Sequence, residues 1–170
     1  MQISVQIESA SGTPPPLDYR WDADTEILTA TVREPAAGEK GTGLSGSVDV
    51  QGGDGSWLVF DVARGGIRGV EVAVWPELRT VGRLAPPAVA EFSRVVVPTD
   101  ESPDAIAALE VDQPLVAETD EDERTIHFRI GAPRRTRTIR LASDLLLDVD
   151  ARNRLAGVWL LNVPPLPGVA

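Results

Sequence analysis

Residues 59–78 read VFDVARGGIRGVEVAVWPEL, and a weaker copy of their second half lies near the C-terminus. With Ala63 set against Ala151 and no gap, Ala63-Arg64 meets Ala151-Arg152, Gly69-Val70 meets Gly157-Val158, and Pro76 and Leu78 meet Pro164 and Leu166. Ile67 faces Leu155 and Val72 faces Leu160, so the apolar phase is kept along with the identities. An alternating run that turns at glycines and alternates again is the pattern of a β-hairpin. The stretch therefore predicts an all-β chain that is internally duplicated.

Outward from this hairpin, the first unit, 17–78, reads as five short strands. Leu17, Tyr19 and Trp21 alternate with polar residues, 22–25 turns, and Leu28, Ala30 and Val32 share one face. A loop over 34–43 follows, then a strand over 44–51, a turn at 52–55, and the opening hairpin. The second unit, 113–166, repeats the order: Asp22 aligns with Asp120, Leu28 with Ile126, Ala30 with Phe128 and Val32 with Ile130. Turn residues at every corner predict two five-strand antiparallel meanders. In the connecting segment, 79–112, residues 92–97 read as a strand. Ser102 can cap a helix, Pro103 suits its first position and Asp104 its positive end, which predicts one short linker helix near 103–110. Ile3, Val5 and Ile7 predict an edge strand at the N-terminus. Units of this size bury little core alone, so the expectation is a single domain, 1–170, in which the two pack as a sandwich or barrel.

The chain has 170 residues and no cysteine, which excludes disulfides and thiolate metal sites and permits a reducing compartment. Its N-terminus alternates and does not read as a signal peptide. No apolar run approaches the roughly 18 residues that a membrane helix needs. A cytoplasmic, bacterial protein is the expectation. The formal charge of −10 equals the ten acids of residues 100–123, a segment without a base; elsewhere acids and bases cancel. Nucleic acid, which needs a basic surface, is excluded as a partner.

Trp21-Asp22-x-x-x-Glu26-x-Leu28 and Gly65-x-Ile67-x-Gly69-Val70-Glu71-Val72 in the first unit have degenerate counterparts in the second. Those are Asp120 with Ile126, and Asp150-x-x-Asn153-x-Leu155-x-Gly157-Val158. Each unit resembles a family of small bacterial domains of unknown function whose signature is aromatic-Asp-x-x-x-Asp-x-Leu followed by Gly-x-Ile-x-Gly-Val-Glu-Val. The resemblance implies a fold and no reaction. The spacing also has a structural reading: Asp22 and Asp120 suit turn starts, Gly65 and Asn153 suit positive φ, and Gly69 and Gly157 suit a bulge or a close backbone approach.

Candidate chemistry is sparse. His127 is the lone histidine and points to the outer face of its strand, either idle or a general base. Residues 41–46, GTGLSG, match a dinucleotide fingerprint, but a strand pattern follows instead of the helix that would receive the phosphates. Arg134, Arg135, Arg137 and Arg140 form a candidate anion or partner patch. Asp120, Glu121, Asp122 and Glu123 form a candidate cation or partner patch, or a solvated turn. Residues 164–167, PPLP, read as a polyproline ligand or as a tail packed on a sheet. No catalytic, cofactor or metal residue is assigned, and no cofactor is implied. The leading expectation is a non-catalytic module that binds another protein through its acidic segment and arginine strand, as a monomer or weak homodimer. The alternatives are a small-ligand-binding or hydrolytic barrel, and a purely structural assembly unit.

Overall fold

The computed structural model describes residues 2–33, 45–88, 91–98 and 106–168. Among them are 14 strands and no helix, so none is long and apolar enough to cross a membrane. In chain order these are β1 (Gln6–Ser9), β2 (Leu17–Asp22), β3 (Ile27–Val32), β4 (Ser45–Gln51), β5 (Trp57–Ala63), β6 (Gly66–Val74) and β7 (Leu78–Thr80). There follow β8 (Glu91–Val96), β9 (Ile106–Asp112), β10 (Leu115–Thr119), β11 (Ile126–Ile130), β12 (Thr136–Ala142), β13 (Leu145–Asp150) and β14 (Leu155–Leu160). They form one strongly curled half-barrel sheet whose main path ends at β7 and β9.

Strand order is the same within the two halves: β2-β3-β6-β5-β4 in one, β10-β11-β14-β13-β12 in the other. This departs from the simple meander that the turns suggest. The last strand of each half pairs with both its hairpin neighbour and the second strand, so its backbone groups are satisfied on both edges. Those last strands are among the most buried: every residue of β14 is buried, and so is every residue of β13 beside it.

Registers match as well. Leu28 faces Val72 and Ala30 faces Val70 in the first half; Ile126 faces Leu160 and Phe128 faces Val158 in the second. A register shift falls between Asp61 and Val62, and again between Asp148 and Val149. These bulges sit opposite the paired glycines, and both glycines are needed for a second reason. A Cβ on Gly69 would stand 2.7 Å from the Ala30 carbonyl oxygen, and one on Gly157 would stand 2.6 Å from that of Phe128. Only a bare backbone passes so close. The turns carry positive φ at Arg64 and Gly65 and at Asn153. Val62 pairs with Ile67 but Val149 with Leu155, so the second turn is longer and the ungapped match holds only from the turn onward.

The linker helix is not formed. Residues 106–112 are β9, laid parallel to β4 from Ser45↔Ile106 to Gln51↔Asp112; residues 103–105 of the expected helix lie outside the described residues. A helix of two turns is marginal alone, whereas the open edge of β4 offers a full ladder of partners to a segment whose Val111 is buried. The loop over 34–43 and most of the 41–46 glycine motif also lie outside the described residues; the motif's last two residues open β4.

One core cluster runs through both halves, with Leu28, Phe60, Val70 and Val72 from the first and Phe128, Leu147, Val158 and Leu160 from the second. Burial of each such side chain contributes roughly 1.5–3 kcal/mol. The segment before β1 extends this core: Ile3 and Val5 are buried and the Val5 N–H donates to the Asn153 carbonyl, while β1 itself pairs with β8.

Candidate functional site

Each half ends in an exit that crosses to the other. After β6, Trp75-Pro76 leads into β7, which lies parallel to β10 with Leu78 opposite Ala117. After β14, the chain returns to the first half, where Trp21 Nε1 donates to the Pro164 carbonyl at 2.8 Å and the Tyr19 hydroxyl donates to the Leu161 carbonyl at 2.6 Å. Burial first, then the nearby Asp144 charge, push the Tyr19 phenol well above its ordinary pKa, so it stays a neutral donor. The carbonyls of the first turns are tied in parallel fashion: Trp75 Nε1 donates to Glu26 at 2.8 Å, and the Val163 N–H to Arg124 at 2.9 Å.

Where the exits meet, a groove of about 330 Å³ opens. Its walls are Trp21, Trp75, Leu78, Ile126 and the 164–166 tail, and its polar residues are Glu26, Asp122 and Glu123. Trp21 and Trp75 stack at 5.8 Å with ring planes 18° apart, and Trp75 also meets Phe128 at 5.8 Å. The three acids are exposed, and among the described residues no arginine, lysine or histidine lines the groove. Glu26 and Glu123 have φ of 60° and 56°, left-handed values that a glutamate adopts at a cost of order 1 kcal/mol or more. The strained turns thus set the backbone of both residues at the rim.

Of the predicted acidic patch, Asp120 serves its own turn: its carboxylate accepts the Arg124 and Thr125 N–H groups. Glu121 is exposed and Asp122 and Glu123 face the groove. Among the described residues no cluster of three or more acids and histidines is placed to hold a metal.

The four arginines do not share one surface. Arg134 is a brace: its Nε donates to Asp150 at 2.9 Å and its terminal nitrogens to the carbonyls of Ile130, Ala132 and Leu155. Arg154 binds the same Asp150 oxygen at 3.0 Å. Burial alone would push the Asp150 carboxyl up, but the Arg154 N–H, the Arg134 guanidinium, the Arg152 N–H and the Arg154 guanidinium together bring it down to about 2. Arg135 is exposed before β12 begins, Arg137 reaches Asn153, and Arg140 donates to the Ser143 carbonyl. Arg137 pairs with Val149 and Arg140 with Leu146, opposite phases of one strand.

His127 does point outward, and it is not alone there. Its Nε2 lies 2.7 Å from Asp148 Oδ2, while Thr138 Oγ1 and Trp159 Nε1 donate to Asp148 Oδ1 at 2.7 and 3.2 Å. The Trp159 ring covers the imidazole at 4.2 Å, and Asp148 is 5% exposed. A cleft of only about 130 Å³ adjoins it, lined by His127, Arg129 and Arg134 among others. With no hydroxyl or thiol of the described residues held against the imidazole, the arrangement ties four strands together across the outer face. Sequence reasoning missed Asp148 because it sits in an apolar run; its signal was its phase, two strands away from His127 on the same face.

No protein-family model matches the chain, and no curated protein does.

Proposed function

We propose that this chain is an internally duplicated, single-domain binding module without catalytic activity, working inside the cell. Its groove takes a segment of another protein that carries an apolar side chain flanked by lysine or arginine. The observation that carries this reading is an aromatic-walled groove whose charged residues are all carboxylates. A cation held over Trp21 or Trp75 gains cation–π attraction as well as the Coulomb term from Glu26, Asp122 and Glu123. The net charge of −10 steers such a partner inward. The volume suits one or two side chains rather than a whole domain, at the low end of known ligand pockets. Duplication is supported by the common strand order, register and glycine-backed bulge. Each unit then descends from the single-unit signature that its sequence resembles, and the pairing of two such units created the seam.

The test is calorimetric titration with a hexapeptide of alternating leucine and lysine, and with its leucine–glutamate counterpart. The lysine peptide binds, loses about tenfold in affinity when salt rises from about 0.05 to 0.5 M, and loses as much again with the Glu26→Gln, Asp122→Asn, Glu123→Gln triple variant. Equal binding of the glutamate peptide, or an indifferent triple variant, refutes the proposal.

A further inference from the structure

β8 is where the curled sheet passes from one half to the other, and outside its four-residue ladder with β1 it is poorly matched to its neighbours β12 and β6. It pairs with β12 only at Ile139↔Glu91 and Arg140↔Phe92, and with β6 only at Gly66↔Val96. Between those contacts the strands splay, and a cavity of about 370 Å³ occupies the gap. Val32, Ile67, Phe92 and Leu141 give it an apolar lining. Into this lining comes Ser93, 1% exposed, whose hydroxyl makes no hydrogen bond. Arg94 lines the same cavity, and its buried Nε–H likewise meets no acceptor. The rest of that guanidinium is anchored: Nη2 donates to the Arg64 carbonyl at 3.0 Å, and Nη1 stands 3.8 Å from Glu8. Gly66 lets the side chain lie flat, since a Cβ there would be 3.0 Å from Nε.

A buried hydroxyl and a buried guanidinium N–H without partners are costly, by about 1–3 kcal/mol for each such group. Two of them on one cavity mark a place where stability has been given up for binding. Both groups donate, and around them the lining joins an apolar side of Val32, Ile67, Phe92 and Leu141 to a polar rim of Glu8, Ser9, Ser11 and Thr13. We infer that this seam cavity is a second binding site, for a small monocarboxylate with an apolar tail. Its carboxylate accepts from Arg94 Nε and Ser93 Oγ, and its tail lies against Ile67, Phe92 and Leu141. The site is distinct from the tryptophan groove and does not depend on it.

Hexanoate and hexan-1-ol are the probes, added to the ¹⁵N-labelled protein and followed by amide shifts. Hexanoate produces saturable shifts confined to Ile67, Ser93, Arg94 and their strand neighbours, and hexan-1-ol binds at least tenfold more weakly. Ser93→Ala reduces hexanoate affinity about tenfold while leaving the thermal midpoint of the free protein unchanged or raised, because the lost hydroxyl bonded to nothing. Equal affinity for the alcohol, shifts scattered over the surface, or a Ser93→Ala variant that binds hexanoate like the parent would each overturn the inference. The comparison of acid with alcohol uses the unaltered protein, so it decides even where a variant folds poorly.

Discussion

The two halves agree on the face they bury and disagree on the face they show. Across the core row of the first half stand Ala30, Val70 and Phe60; across that of the second stand Phe128, Val158 and Leu147. The phenylalanine stands on opposite sides of the central valine in the two halves, and the alanine of the first has no counterpart in the second. The row keeps a large residue and its central valine while its sequence changes, as a close-packed interior requires. The outer row has no such constraint. Thr29 and Glu71 in the first half become His127 and Trp159, and Ser47 and Asp61 become Thr138 and Asp148. In the first half this face stays open, with Asp61 exposed; in the second, Trp159 closes over a hydrogen-bonded carboxylate. Shared geometry therefore marks the fold, and the outer face is where the two halves differ.

The sharpest way to break the comparison is at its glycines. Gly157→Ala drives a methyl onto the Phe128 carbonyl and also to 2.8 Å from Asp148 Oδ2. It should cost roughly 3 kcal/mol or more in urea unfolding, with Gly69→Ala, which meets backbone alone, costing less. Equal and small effects would show that the close approach is not built into both halves.

Acid separates the halves next. Asp150 of the second half titrates near 2 when folded and near 4 when unfolded, so its contribution is complete above about pH 4 and is lost as pH falls toward 2. That contribution is about 2–3 kcal/mol, and Asp150→Asn should flatten the acid limb of a stability profile. Asp61 of the first half has the opposite sign. Its side chain stays largely open, but the partial desolvation imposed by its neighbours raises its pKa, so it favours the folded state more as pH falls through that raised value. Asp61→Asn should then raise stability slightly at neutral pH, and a loss there would contradict this account. Smaller still is the outer row. His127→Ala leaves Asp148 buried with one donor fewer and should cost about 1–2 kcal/mol, while Thr29→Ala, on the open face, should stay within about 0.5 kcal/mol.

Strand phases and turns were legible in the sequence because they are local. Leu28, Ala30 and Val32 alternate, Asp22 and Asp120 cap their turns, and Gly69 and Gly157 stand out inside strands. What escaped was set by partners far along the chain. The 106–112 segment follows helix-start signals at Ser102, Pro103 and Asp104 and becomes a strand because β4 offers an edge. The placement of β6 between β3 and β5 leaves no periodic trace. The groove joins Trp21, Trp75, Asp122 and Leu166, which no spacing connects, although the repeated Pro-x-Leu exits of the opening hairpin are what bring them together. Arg134 looked like part of a patch and is instead consumed by Asp150 and three carbonyls.

The claim that the seam between the halves is the binding surface is tested most directly by the indole N–H resonances of the four tryptophans. Trp21 and Trp75 line the groove and Trp57 and Trp159 do not. Titration with the leucine–lysine hexapeptide should move the Trp21 and Trp75 signals saturably and leave the other two in place. Movement of Trp57 and Trp159 to the same extent, or stillness of Trp21 and Trp75, would contradict it.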